Sequence, residues 1–89
     1  MARAEATYSG HVQGVGFRFT ARSLAAGYSV SGYVRNMPDG GVEVVAEGTR
    51  PEIEAFLVEL AAAMGDYIGD TEVSWTEGTG GFKGFGIRF

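Results

Sequence analysis

Three observations predict an α+β protein, an α/β sandwich with one antiparallel sheet and two helices on one of its faces. Five short stretches read as strands, most with strict apolar–polar alternation. Two stretches between them carry apolar residues at helical spacing. Glycine supplies 15 of the 89 residues and clusters between these stretches, where it marks turns. The resulting order is β-α-β-β-α-β plus an extra C-terminal strand, and two amphipathic helices against one sheet suit that order.

The first strand covers residues 2–8, with Ala2, Ala4, Ala6 and Tyr8 on one face and Arg3, Glu5 and Thr7 on the other. The loop Gly10 to Gly16 follows. From Phe17 the period changes: Phe17, Thr20, Ala21, Leu24 and Ala25 make a helical stripe, and Gly27 offers a stop. Val30 to Met37 is the second strand. Pro38-Asp39-Gly40-Gly41 is a turn, since Pro presets φ and Gly admits positive φ. Val42, Val44 and Ala46 alternate with Glu43 and Glu47 as a third strand, closing a hairpin.

Thr49-Arg50-Pro51-Glu52 predicts a capping box at the start of the second helix. Its stripe is Ile53, Phe56, Leu57, Leu60, Ala61 and Met64, and Gly65 ends it. Thr71, Val73 and Trp75 alternate as a fourth strand. Glu77 to Gly84 reads as a hairpin loop, and Phe85, Ile87 and Phe89 as the core-facing side of the last strand. Right-handed crossovers place the first and third strands side by side at the centre.

A chain of 89 residues supports one domain, 1–89, with a single thin core. Hydrophobic residues at 45% and charged residues at 20% exclude a disordered chain. The absence of cysteine excludes disulfides, thiolate catalysis and zinc fingers, and a single histidine argues against a polyhistidine metal site. No apolar run approaches the ~20 residues of a membrane span, and no signal-peptide core is visible, which points to the cytoplasm.

The net charge of −4 disfavours a nucleic-acid binder. The charge is uneven, however. Residues 1–36 hold four arginines against Glu5 alone, while residues 37–89 hold three basic groups against ten acids. A locally basic segment in an acidic protein suits a small anion; chance surface patterning explains it equally well.

The loop Gly10-His11-Val12-Gln13-Gly14-Val15-Gly16 joins a strand to a helix. Unpaired N–H groups at a helix start carry partial positive charge, and glycines let such a loop curl them onto one anion. Arg18, in the first turn, is placed to grip phosphate oxygens. The loop lacks the Gly-Lys-Ser/Thr of a P-loop, and Phe19 stands where a dinucleotide fingerprint needs glycine. An ordinary strand-to-helix turn with a solvated arginine is the competing reading. Asn36 reads by position alone as a turn initiator; its amide also suits holding a water. His11 reads as a solvated loop residue rather than a general base, and Arg22 as part of a solvated face.

The segment Gly10-His11-Val12-Gln13-Gly14-Val15-Gly16-Phe17-Arg18 closely resembles the N-terminal signature of acylphosphatases, small hydrolases of carboxyl–phosphate bonds. Gly32-Tyr33-Val34-Arg35-Asn36-Met37-Pro38-Asp39-Gly40-Gly41-Val42-Glu43-Val44 resembles their second motif, and Arg18 and Asn36 stand 18 positions apart, as in the family pattern. Val45-Ala46-Glu47-Gly48 and Gly86-Ile87-Arg88-Phe89 look like later family segments, so the resemblance covers essentially the whole chain. It implies a ferredoxin-like fold and metal-free hydrolysis of acyl phosphates to carboxylate and inorganic phosphate; a preformed cradle would bind that product too, so phosphate is expected to inhibit. It implies a phosphate-binding loop made by Arg18 and the amides of Gln13, Gly14, Val15, Gly16 and Phe17, with Asn36 positioning the attacking water. It implies no metal and no cofactor, and a cytoplasmic monomer is the expected form.

Two positions depart from the family. Many members carry a hydroxyl residue after the water-binding Asn, where this chain has Met37. After the second helix the family often has Gly-Pro-Pro; here it is Gly65-Asp66-Tyr67. Two other readings compete. One is a non-catalytic phosphate- or small-anion-binding module of the same fold. The other is RNA binding, because Lys83-Gly84-Phe85-Gly86-Ile87-Arg88-Phe89 is similar to an RNP1 stretch, although it lies on the last strand rather than the third.

Overall fold

The computed structural model describes every residue from Met1 to Phe89. Its elements are β1 (Ala2–Gly10), α1 (Phe17–Ala25), β2 (Val30–Asn36), β3 (Val42–Gly48), α2 (Arg50–Met64), a short 3₁₀ turn (Gly65–Tyr67), β4 (Ile68–Glu77) and β5 (Phe85–Arg88). The sheet order is β4-β1-β3-β2-β5, so the first and third strands are central, as the crossover rule predicts. β4, β1, β3 and β2 pair antiparallel, and β5 joins β2 in parallel, which makes the five-stranded sheet mixed.

Alternation along the strands decides which face is core. Ala4, Ala6 and Tyr8 lie opposite Ala46, Val44 and Val42, and all six are buried with Val34. Both helices pack on this face: α1 contributes Phe17, Ala21 and Ala25, and α2 contributes Ile53, Phe56, Leu60 and Met64. Small residues at the sheet centre leave room for the two buried phenylalanines. Burying such side chains is worth roughly 1.5–3 kcal/mol each.

Three local expectations change. Thr49 caps α2 without a side-chain hydrogen bond, and Glu52 instead accepts from the N–H of Ser29 at 2.8 Å. The predicted capping box therefore does not close; Glu52 ties the α1–β2 connection to α2. Ala61 is exposed, because the buried stripe of α2 is narrower than its run of apolar residues. Phe89 lies past the last β2–β5 pair, Arg35 with Arg88, and is 98% exposed, so it leaves the core.

The largest correction concerns Glu77 to Gly84. β4 and β5 stand at opposite edges of the sheet, so this segment is not a hairpin loop. It crosses the face opposite the helices. Gly84 O accepts from Gly32 N at 2.9 Å, and Phe82 sits 5.9 Å from the Tyr33 ring. The centre of the crossing is Glu47, expected on a polar face but only 1% exposed. Its carboxylate accepts from Thr79 N at 3.0 Å, Gly80 N at 2.9 Å and Arg3 Nη1 at 3.1 Å, with the Thr79 hydroxyl alongside.

Burial alone would raise the pKa of Glu47. The Thr79 and Gly80 N–H groups, the Arg3 guanidinium and the Thr79 hydroxyl overturn that and hold it at about 2. A depressed carboxyl pKa contributes stability that is complete above its ordinary value of 4.5 and is lost as pH falls toward about 2. Thermal melts between pH 6 and pH 2 are expected to lose stability through this window. Glu47→Gln should cost about 2 kcal/mol at pH 7 and flatten the acid limb; an unchanged acid limb would detach Glu47 from acid stability.

Candidate active site

β1 and β2 both run antiparallel to β3, so their C-terminal ends lie at the same end of the sheet. Val42 pairs with Tyr8 on one side and with Asn36 on the other. The loop after β1 and the last residue of β2 are therefore neighbours, though far apart in sequence. A cleft of about 170 Å³ lies between them, lined by Val12, Gly14, Gly16, Phe17, Arg18, Phe19 and Asn36.

The loop is built on two glycines. Gly14 has φ +78° and Gly16 φ +79°, while no non-glycine residue has positive φ. The sign of φ thus alternates along Gln13 to Gly16, the arrangement that turns successive N–H groups toward one point. An added Cβ meets nothing within 4 Å at either position, so the requirement for glycine is conformational rather than steric. The N–H groups of Gln13 through Gly16 have no backbone or side-chain partner. Gly16 is the N-cap of α1 and supplies no side chain to the helix's free donors.

The first turn of α1 contains no acidic residue and does contain Arg18. That is the unfavourable sign for the helix dipole, and an anion in the cleft would reverse it. Beneath the loop, Tyr8 packs 5.0 Å from Phe17, and burial pushes its hydroxyl up to about 12. It is a neutral support for the loop–helix junction. The Arg18 guanidinium lies 4.9 Å from the Phe89 ring, and that of Arg22 lies 5.2 Å from Phe19. Neither arginine has a carboxylate partner.

Of the residues singled out in the sequence, Gly14, Gly16, Phe17, Arg18 and Asn36 line this cleft; Gln13 and Val15 do not. The Val15 side chain packs on the core. The Gln13 side chain turns to the β2–β3 turn, donating from Nε2 to Met37 O and to Gly41 O, both at 2.8 Å. In the sequence Gln13 counts only for its backbone N–H, because nothing local marks the partners of its side chain. His11 is exposed and outside the cleft. A larger groove of about 320 Å³ lies beyond the turn, but Asp39, Asp70 and Glu72 line it and repel a phosphoryl group.

Known proteins are similar to this chain over nearly its whole length. The acylphosphatase family model matches residues 4–87. An acylphosphatase of Thermus thermophilus is 43% identical over 88 residues, covering 98% of this chain and 99% of the relative. One from Thermobifida fusca is 43% identical over 87 residues, covering 97% and 96%. The crystal structure of the Bacillus subtilis acylphosphatase superposes with a TM-score of 0.89 at 28% identity, covering all of both chains. The family match reaches from β1 through the glycine loop and the β2–β3 turn into β5, and the chain belongs to the acylphosphatase family.

Proposed function

We propose that the cleft between the glycine loop and Asn36 is where this acylphosphatase hydrolyses acyl phosphates to a carboxylate and inorganic phosphate. What supports the reading is one small cleft lined by Gly14, Gly16, Arg18 and Asn36, beside loop N–H groups that have no partner within the protein.

Each part has a task. The N–H groups of Gln13 to Phe17 and the Arg18 guanidinium hold the phosphoryl oxygens and oppose the charge that gathers there. The Asn36 amide aligns a water with the scissile bond. The water oxygen bonds to phosphorus as the bond from phosphorus to the acyl oxygen breaks, and the carboxylate leaves with that electron pair. A phosphoryl oxygen takes the water's proton. A carboxylate is a good leaving group, so neither a strong general acid nor a metal is required. Most of the barrier is removed by placing reactants and matching charge.

No helix is long and apolar enough to cross a membrane. We read the chain as a cytoplasmic monomer that does not bind nucleic acid. The RNP1-like stretch supports this: Phe85 packs edge-on against Phe56 at 5.4 Å, so its ring is spent on the core. Gel filtration at micromolar concentration tests the monomer, and retention on single-stranded RNA at moderate salt tests the other.

A preformed cradle also binds the product. Inorganic phosphate should inhibit competitively and stabilise the fold by roughly 1.4 kcal/mol at tenfold excess over Kd. A melting temperature unmoved by phosphate, with chloride matching ionic strength, would count against the cradle. Turnover should survive EDTA; loss of activity restored by a divalent ion would refute the metal-free reading.

Three variants separate the roles. Arg18→Gln should lose phosphate binding and turnover together, by roughly 30- to 1000-fold. Asn36→Ala should lower kcat while leaving the phosphate inhibition constant nearly intact, because only the transition state uses the aligned water. His11→Ala should change neither more than a few-fold. A dead His11→Ala, or an Asn36→Ala that binds phosphate as poorly as Arg18→Gln, would overturn the assignment. A protein that binds phosphate but never turns over acetyl phosphate would be the non-catalytic module instead.

A further inference from the structure

The side chain of Gln13 is the one direct hydrogen-bonded link between the glycine loop and the turn that follows Asn36. Its two amide hydrogens are matched to two carbonyls, Met37 O and Gly41 O, both at 2.8 Å. Those carbonyls stand at the two sides of the base of the turn. Met37 N donates to Gly41 O at 2.8 Å, and Gly40 N donates to Met37 O at 3.2 Å. Each carbonyl therefore keeps a turn partner without Gln13. The link is surplus to closing the turn, yet it bridges the two halves of the cleft.

Asn36 is the residue directly before Met37, and its pairing with Val42 ends the β2–β3 ladder. Beyond that pair, the position of its amide relative to the loop depends on what holds the turn. Met37 offers no hydroxyl for that purpose. The carbonyl of Met37 is held instead, from the loop side.

We propose that Gln13 is a positioning residue, which sets the placement of Asn36 against the phosphate loop by clamping Met37 and Gly41. The proposal rests on the reading of Asn36 as the water-aligning residue. Displacements of about 1 Å in a reacting group cost on the order of 100-fold in rate, so a clamp acting on the water should appear in kcat. The backbone N–H of residue 13 is the same in every variant, so phosphate binding should be spared.

The test uses acetyl phosphate turnover, phosphate inhibition and thermal melts on the full chain. Gln13→Met keeps the length and removes both donors. It should lower kcat about 10- to 100-fold. The phosphate inhibition constant should stay within about threefold, because the loop amides remain. In an Asn36→Ala background the same change should lower kcat by no more than about twofold, since the residue it positions is gone. Gln13→Glu presents a carboxylate to two carbonyls at neutral pH. Its kcat should recover partly as pH falls, when protonation restores one donor, a rise the wild type lacks.

An unchanged kcat in Gln13→Met overturns the proposal. So does a parallel loss of phosphate affinity, or a full multiplicative loss in the Asn36→Ala background. If Gln13→Met does not fold, the pH response of Gln13→Glu decides, and a flat response overturns the proposal. A wild type without turnover would overturn the parent reading. An active wild type in which Asn36→Ala is impaired but Gln13→Met is not would remove the clamp alone.

Discussion

The register of one residue organises this molecule. Val42 opens β3, paired with Tyr8 on one side and Asn36 on the other. Because β1 and β2 both oppose β3, their C-terminal ends are drawn to the same end of the sheet. A one-residue slip of β3 against either neighbour would turn Val42, Val44 and Ala46 away from the helices and expose the core face. Burial of that face therefore enforces the register, and the register brings the loop after β1 beside the last residue of β2. The cleft follows from the packing of the core rather than from any contact within the cleft itself.

On that frame the loop departs from what stability alone would select. Gly14 and Gly16 hold left-handed conformations in open space. A string of N–H groups has no partner. The first turn of α1 carries a cation where an acid would suit the dipole. An anion bound at the helix N-terminus, as proposed above, would resolve all three at once, with donors, dipole and Arg18 acting together. Local rules broken together at one end of a well-packed domain are what a functional site looks like physically.

Most of the fold was legible because it is local. Alternation located the strands, helical spacing located α1 and α2, and the glycine loop announced itself by residues adjacent in sequence. What was not legible depends on which distant segment covers a face. The crossing of residues 78–84 is the clearest case. The strand order puts four spacings, about 19 Å, between β4 and β5. The eight links from Glu77 to Phe85 reach about 29 Å at full extension, so the segment crosses the sheet with little slack. Periodicity says nothing of this. One trace was present: Val44, Val45 and Ala46 run without a polar break, and Val45 is 1% exposed on the face opposite the helices. An apolar residue there means that face is covered, and Glu47, two residues on, lies under the same cover.

The two faces of the sheet are thus covered in different ways, and the cleft lies at one end of the sheet. Helices cover one face with aliphatic and aromatic packing. A strap held by a buried carboxylate covers the other, and Arg3 and the backbone donors make that burial tolerable. Glu52 departs from its expected role for a related reason: its carboxylate has two possible uses, a cap within its own helix or a bond to Ser29 across a gap. Only the tertiary arrangement decides between them. Gln13 is the same kind of residue. In the sequence it is one position of a loop motif; in the fold its side chain spans to a turn more than twenty residues away. Side chains that join two elements are the least visible part of a sequence, because their meaning is a distance. In this domain those residues hold the strap, the helix connection and the turn beside the cleft.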